Sequence, residues 1–352
     1  MRIGGRGSLR RTWLTRTCAA SLFLGASGVG CGSSGGGSDA APIQAVRGYV
    51  VSSFGYVYPE HAGDTCPGGF NRGAIEMRLD GETPIPDDCN EPQVHSDPGF
   101  KTLQASGDFP GMDLDGLSSS VSAPLAGECP HEDFSSPGGD GGLDYQLWRA
   151  IGCVRGFQQG EIADIVVGGA VRDGSMTILL EVSDMDAELD DEQVSVRVFA
   201  STEKPPTGSD GEGLPFATLT VHADPRYHST TGAGSMSDGV IVAGPMDLRL
   251  RLNIQIVEGD LTFSNAYVRM EPMADGSVSG VILGYQAIDE VYEIFGRQAG
   301  QAGAEALSYT CTGLWSALQS QADGEYDPRT GMCSSISVAY RFTAIPAFVV
   351  QQ

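Results

Sequence analysis

The residues of this chain best suited to chemistry are carboxylates gathered on irregular, glycine-rich backbone. Asp113 and Asp115 lie in Met112-Asp113-Leu114-Asp115-Gly116, and Asp133, Asp140 and Asp144 lie between Cys129 and Cys153. Calcium takes six to eight oxygens, several of them from carboxylates, on a loop flexible enough to wrap the ion. These five aspartates therefore form a candidate metal set, with Ca2+ as the expected ion. A plainer reading stands beside it, because short polar side chains in loops also cap helices and close Asx turns. Gly138-Gly139-Asp140-Gly141 begins like a calcium β-roll repeat, but its aspartate falls one place late and the pattern occurs once.

Other chemistry is thinly supported. His131 beside Glu132 and Asp133 has the residue types of a general base, yet adjacency in sequence does not position a water or a nucleophile. No catalytic residue is assigned on that ground. The chain holds no His-Glu-x-x-His, phosphate loop, dinucleotide fingerprint or haem motif. Its one Gly-x-Ser-x-Gly, Gly32 to Gly36, lies in a low-complexity tract without the strand and helix of a nucleophile elbow. The run Asp184 to Glu192 carries six carboxylates in nine residues. It reads either as a cation chelate or as a solvated hairpin loop that deters edge pairing. Tyr145, Trp148, Trp315, Tyr326 and Tyr340 suit either an aromatic platform for a sugar or a packed core, the core being the expectation for the two tryptophans.

The elements that must position these residues show two periods. Leu143, Leu147, Ala150 and Ile151 recur at helical spacing and stop at Gly152, and a second helix is predicted over Glu161 to Val171. From Met176 the period becomes two. Met246 to Ile256 alternates six apolar with five polar side chains, a half-buried antiparallel strand with one wet face. Residues 176–182, 194–200, 219–221, 261–270, 278–285 and 336–344 add further strands, with Asp275-Gly276 as a hairpin turn. Helices are predicted over 287–295 and 302–318. The expected fold is mainly β (α+β): an antiparallel β-sandwich or open barrel with a few covering helices.

Composition supplies an address. Arg2, Arg6, Arg10, Arg11 and Arg16 precede the uncharged run Thr17 to Gly30, the pattern of a secretory signal over residues 1–30. Its removal leaves 16 basic against 45 acidic residues, a net charge of −29. Such a surface repels phosphate backbones and anionic lipid, which argues against nucleic-acid binding. Cys66, Cys89, Cys129, Cys153, Cys311 and Cys333 remain as an even set in an exported chain, implying three disulfides. Fifteen connectivities are open. Pairing of neighbours, 66 with 89, 129 with 153 and 311 with 333, is the expectation because it closes three similar short loops. The remaining chain divides into a Gly/Ser-rich tether over 31–45, a loop-rich part over 46–128 and a β-rich domain over 129–352.

Two resemblances extend this reading. Gly28-Val29-Gly30-Cys31 resembles the lipobox of bacterial prolipoproteins, with Gly28 departing from the usual leucine. The resemblance implies acylation of Cys31, a membrane partner through that lipid alone, and placement at the outer membrane. The run Gly174 to Val182, then Asp184 to Asp191 and Val194 to Phe199, with Leu143-Asp144-Tyr145-Gln146 upstream and Asp275 to Gly280 downstream, is similar to a group of uncharacterised bacterial envelope proteins, many of them predicted lipoproteins. Gly138 and Tyr145 depart from that group's turns, and the group brings no assigned activity. The expected role is a non-enzymatic binding or structural module with a protein or carbohydrate partner. The alternative is a secreted hydrolase using the aspartates near 133–144.

Overall fold

A computed structural model describes residues 45–59, 66–83, 87–104, 107–117, 129, 131–139, 141–186, 189–254 and 257–351. In chain order the elements are β1 (Ala45–Tyr56), α1 (Ala74–Leu79), α2 (Gln146–Ile151), α3 (Ile162–Asp173), β2 (Thr177–Met185), β3 (Asp191–Ser201), β4 (Ala217–Thr220), β5 (Gly232–Ser237), β6 (Val240–Ile254), β7 (Val257–Pro272), β8 (Val278–Ala287), α4 (Ile288–Tyr292), α5 (Gly300–Leu307), α6 (Cys311–Ser320), β9 (Gly324–Asp327) and β10 (Met332–Val350).

The mainly β fold takes the barrel form, and the barrel is closed. Neighbouring strands run β1-β2-β3-β5-β6-β7-β8-β10, and β10 pairs back onto β1 from Gly48 opposite Ala347 to Tyr56 opposite Tyr340. Closure follows from the length of β10, whose middle has partners on both edges: Tyr340 sits between Tyr56 and Ile282. A closed ring leaves no unpaired edge to template aggregation. Beyond the ring, β4 pairs in parallel with the end of β10, where Ala347 is bonded to Gly48 on one side and Ala217 on the other.

The period-two pattern decides what goes inside. Leu248, Leu250 and Leu252 of β6 are buried while Arg249 and Arg251 between them are not. The interior is filled with side chains, including Tyr340, whose ring centroid lies 5.1 Å from Phe54, 5.3 Å from Tyr56 and 5.7 Å from Phe263. A second, smaller apolar cluster of Val50, Leu179, Phe199, Leu219 and Val221 forms where β4 covers the outer face of β1 to β3. The α3 helix ends at Gly174 in the left-handed region (φ 83°), as a glycine stop permits. It packs on β1, β2 and β6, strands from opposite sides of the ring, and so closes one end of the barrel.

Three expectations are corrected here. The disulfides join Cys66 to Cys153, Cys89 to Cys311 and Cys129 to Cys333, none of them between sequence neighbours. Each tie links the cover before β2 either to itself or to the late helix and strand at 311–333, because those segments meet over the barrel wall. The single helix expected over 302–318 is two, α5 and α6, separated where Ser308 turns left-handed (φ 65°) and Thr310 Oγ1 accepts from the Gly313 amide to start a new helix. Leu143, expected in the first turn of a helix, is instead bridged to Phe134, and α2 begins only at Gln146. The strand β1, which precedes residue 129, is a member of the ring. No helix among the described residues is long and apolar enough to cross a membrane.

Candidate functional site

The loop at 112–117 lies over the outer face of β7 and β8. Gly111 sits beside Leu143 and Leu283, at ordinary van der Waals distance from both, which places the start of this loop against the wall. On this face Leu114, Asp115 and Leu117 form one wall of a cleft of about 360 Å³. The opposite walls come from Ser264, Asn265 and Tyr267 of β7, Tyr285 of β8, and Asp323 to Tyr326 at β9.

Beside the cleft, the aspartates of three chain positions converge. Carboxylate oxygens of Asp113, Asp115 and Asp144 lie within 4.8 Å of one another. Two ligands on opposite sides of one calcium ion stand at most roughly 4.6–5.2 Å apart, so this spacing fits a single ion between them. The loop is held in that shape by its own side chains: Asp113 Oδ1 accepts from the Gly116 amide at 2.6 Å and Asp115 Oδ1 from the Leu117 amide at 2.7 Å. The Asx turns expected as the plainer reading are thus present, and they leave one oxygen of each carboxylate for other work. Asp144 does not cap its own helix. Its Oδ2 accepts from the amides of Leu114 at 2.7 Å and Asp115 at 3.3 Å, locking the 112–117 loop onto the chain before α2. The Leu117 carbonyl and Asp113 Oδ2 also come close at Gly142, which has φ 82°.

The electrostatics match that crowding. Burial pushes the Asp144 carboxyl up to about 8, with Asp115, Asp323 and Asp133 adding to it against the Leu114 amide. Burial likewise raises Asp115, with help from Asp113 and Asp133. Across the cleft, burial pushes Asp323 up to about 7 although its Oδ1 accepts from the Ser337 amide at 2.7 Å. Its Oδ2 is buried with no hydrogen-bond partner. Tyr285, raised first by its own burial, is raised further by Asp144 and Asp323. Among the described residues, no lysine, arginine or histidine lines the cleft.

Of the five aspartates read from the sequence, the fold brings together Asp113, Asp115 and Asp144. Asp133 contributes charge to the group from nearby, and Asp140 lies outside the described residues, as does Cys31. Asp323 was not among them. Its neighbours Ala322 and Gly324 make it look like an ordinary turn residue, and nothing in its spacing connects it with Asp144. The acidic run at 184–192 forms no such group among its described residues: Asp191 is buried and accepts from the amides of Asp186 and Gln193, while Asp190 accepts from the Asp238 amide. Asp87 lies near Cys89 and Cys311, but those two sulfurs are bonded to each other. His131 is committed through Nε2 to the Ala322 carbonyl at 2.8 Å. Tyr145, Trp148 and Tyr340 are buried in the core, whereas Tyr326 is exposed at the cleft.

The segment carrying Asp133 depends on a buried cation. Arg149 on α2 is 4% exposed. It donates through Nε to the Glu132 carbonyl at 2.8 Å and through Nη2 to the Asp133 carbonyl at 3.2 Å, with its guanidinium 4.3 Å above the Phe134 ring. An Arg149→Met substitution keeps the volume and strips both carbonyls of this donor, so a loss of about 2 kcal/mol is expected in urea unfolding. A loss below about 0.5 kcal/mol would show that water replaces the guanidinium there.

No protein-family model, curated protein or solved structure matches this chain.

Proposed function

We propose that this protein is an exported, lipid-anchored module of the bacterial envelope that binds rather than catalyses, with a calcium ion held by Asp113, Asp115 and Asp144 at the rim of an acidic cleft. The observation that carries the binding site is the approach of those three carboxylates to within 4.8 Å, with no basic side chain among the described residues that line the adjoining cleft. Three converging negative charges, one of them buried, repel each other until a cation or protons neutralise them. Calcium suits the donor set because it accepts carboxylate and carbonyl oxygens in irregular geometry and completes its shell with water. The address rests on the signal-like residues 1–30, the lipobox resemblance at Cys31 and the Gly/Ser-rich tether. Absence of acyl chains on Cys31 in mass spectrometry of membrane-extracted protein would end the anchoring reading.

Calcium titrated calorimetrically into chelator-stripped protein is expected to bind saturably at one site and raise Tm. Binding is expected to release close to one proton near pH 7, because Asp144 must ionise to ligate. Asp144→Asn should weaken calcium at least tenfold. Equal affinity in the variant, or no saturable heat in the wild type, would sink the site.

A second reading is favoured by one observation: Asp115 and Asp323 face the same cleft, and Asp323 is held near neutrality as a general acid would be. This is the carboxylate-dependent hydrolase. Turnover of a glycoside or ester panel that disappears in Asp323→Asn would establish it over the binding module.

A further inference from the structure

The cleft is larger than one ion requires and chemically distinct from the three-aspartate group that adjoins it. Asp115, Asp323 and Glu325 supply three carboxylates, and Tyr267, Tyr285 and Tyr326 supply aromatic surface. Asp323 lines the cleft and is 8% exposed, and its buried Oδ2 has no donor, so the wall holds an acceptor that no protein group satisfies. An orphaned buried acceptor typically costs about 1–3 kcal/mol, which a ligand N–H would recover. Tyrosine faces attract cations, and the alkyl chain attached to an ammonium packs on the same rings. Anions find no cationic side chain among the described residues of this lining.

We propose that the cleft binds a small organic amine, an alkylammonium whose N–H groups donate to Asp323 Oδ2 and whose methylenes lie against Tyr326 and Tyr285. Glu325 at the open side offers a second carboxylate, so a diamine with a short aliphatic spacer fits the lining better than a monoamine. A volume of about 360 Å³ suits a ligand of that size, at the small end of ligand sites. The site goes beyond the calcium reading and does not depend on it, although Asp115 faces both.

The test is calorimetric titration of 1,5-diaminopentane into chelator-stripped protein at 150 mM salt, which screens diffuse attraction to a surface of this net charge. One saturable site is expected, weakened at least tenfold by Asp323→Asn and severalfold by Tyr326→Ala. The bis(trimethylammonium) analogue keeps both charges but has no N–H, and should bind at least tenfold more weakly than the diamine. Equal binding of the two probes, or affinity unchanged in both variants, would assign the amine to the acidic surface at large and overturn the proposal, as would no saturable heat. If Asp323→Asn fails to fold, Glu325→Gln, altered at an exposed position, takes its place with the same expectation. Asp144→Asn separates this claim from the preceding one: it should weaken calcium at least tenfold and leave the diamine bound.

Discussion

Replacing Cys89 and Cys311 together by alanine is expected to lower the unfolding free energy by about 3–5 kcal/mol and Tm by roughly 10 °C, a larger effect than any single surface change should have. The two cysteines are 222 residues apart in sequence, and their bond closes a large loop of the unfolded chain even though Cys129–Cys333 already shortens the path between them. It also joins the segment before α2 to the first residue of α6, where the Asp87 carboxylate accepts from the Thr312 amide at 2.9 Å and the Asp88 amide reaches Thr312 Oγ1 at 3.4 Å. Without the bond, that segment is held to the helix by such polar contacts and by the Tyr292 hydroxyl donating to the Cys89 carbonyl. The Cys66–Cys153 bond spans 87 residues in sequence, and its loss with the other two bonds in place should cost a similar amount, because the interlocked bonds leave loops of comparable size. Unfolding in urea under non-reducing conditions measures both. Peptide mapping without reduction gives the connectivity directly, and a fragment linking Cys66 to Cys89 would refute it.

The second large effect is a pH dependence. Asp323 ionises near 7 in the folded protein and near 3.9 in an unfolded chain. A raised carboxyl binds its proton more tightly when folded, so the sign is the reverse of a salt-bridged aspartate. Its contribution is fully present below about pH 4, declines as pH rises toward 7, and is constant above that. The total decline amounts to roughly 2–4 kcal/mol in calcium-free protein. Asp323→Asn keeps the acceptor for the Ser337 amide and carries no charge, so it should flatten this part of the profile and be the more stable protein at pH 8. Exposed aspartates such as Asp224 and Asp327 are lowered by their arginine neighbours and act in the opposite direction, and they are common to both proteins. The difference between wild type and variant at pH 4.5, 6 and 8 is therefore the readout. Parallel profiles would mean that Asp323 is ionised and solvated at neutral pH.

Regular elements were legible wherever burial has a short period. Met246 to Ile256 reads as a strand because its inward and outward sides alternate, and β6 covers its described residues to Ile254. The 302–318 helix was misread for the same reason in reverse. Its apolar stripe continues through Ser308, and the left-handed turn there leaves no mark on the periodicity. Within the candidate site, Asp113 and Asp115 were visible by their two-residue spacing, and Asp144 by its place between the cysteines and α2.

What the amino-acid sequence by itself determined is local and compositional: the acidic balance, the even set of cysteines in a chain with a signal-like start, the strand and helix periods, and the carboxylate-rich loops. The tertiary structure alone decided that β10 closes the ring onto β1, which cysteines meet, and that Asp323 faces Asp115 across one cleft. These depend on contacts between segments up to more than two hundred residues apart. Such contacts are selected by which apolar faces bury one another, and that global choice is written in no single stretch of the chain.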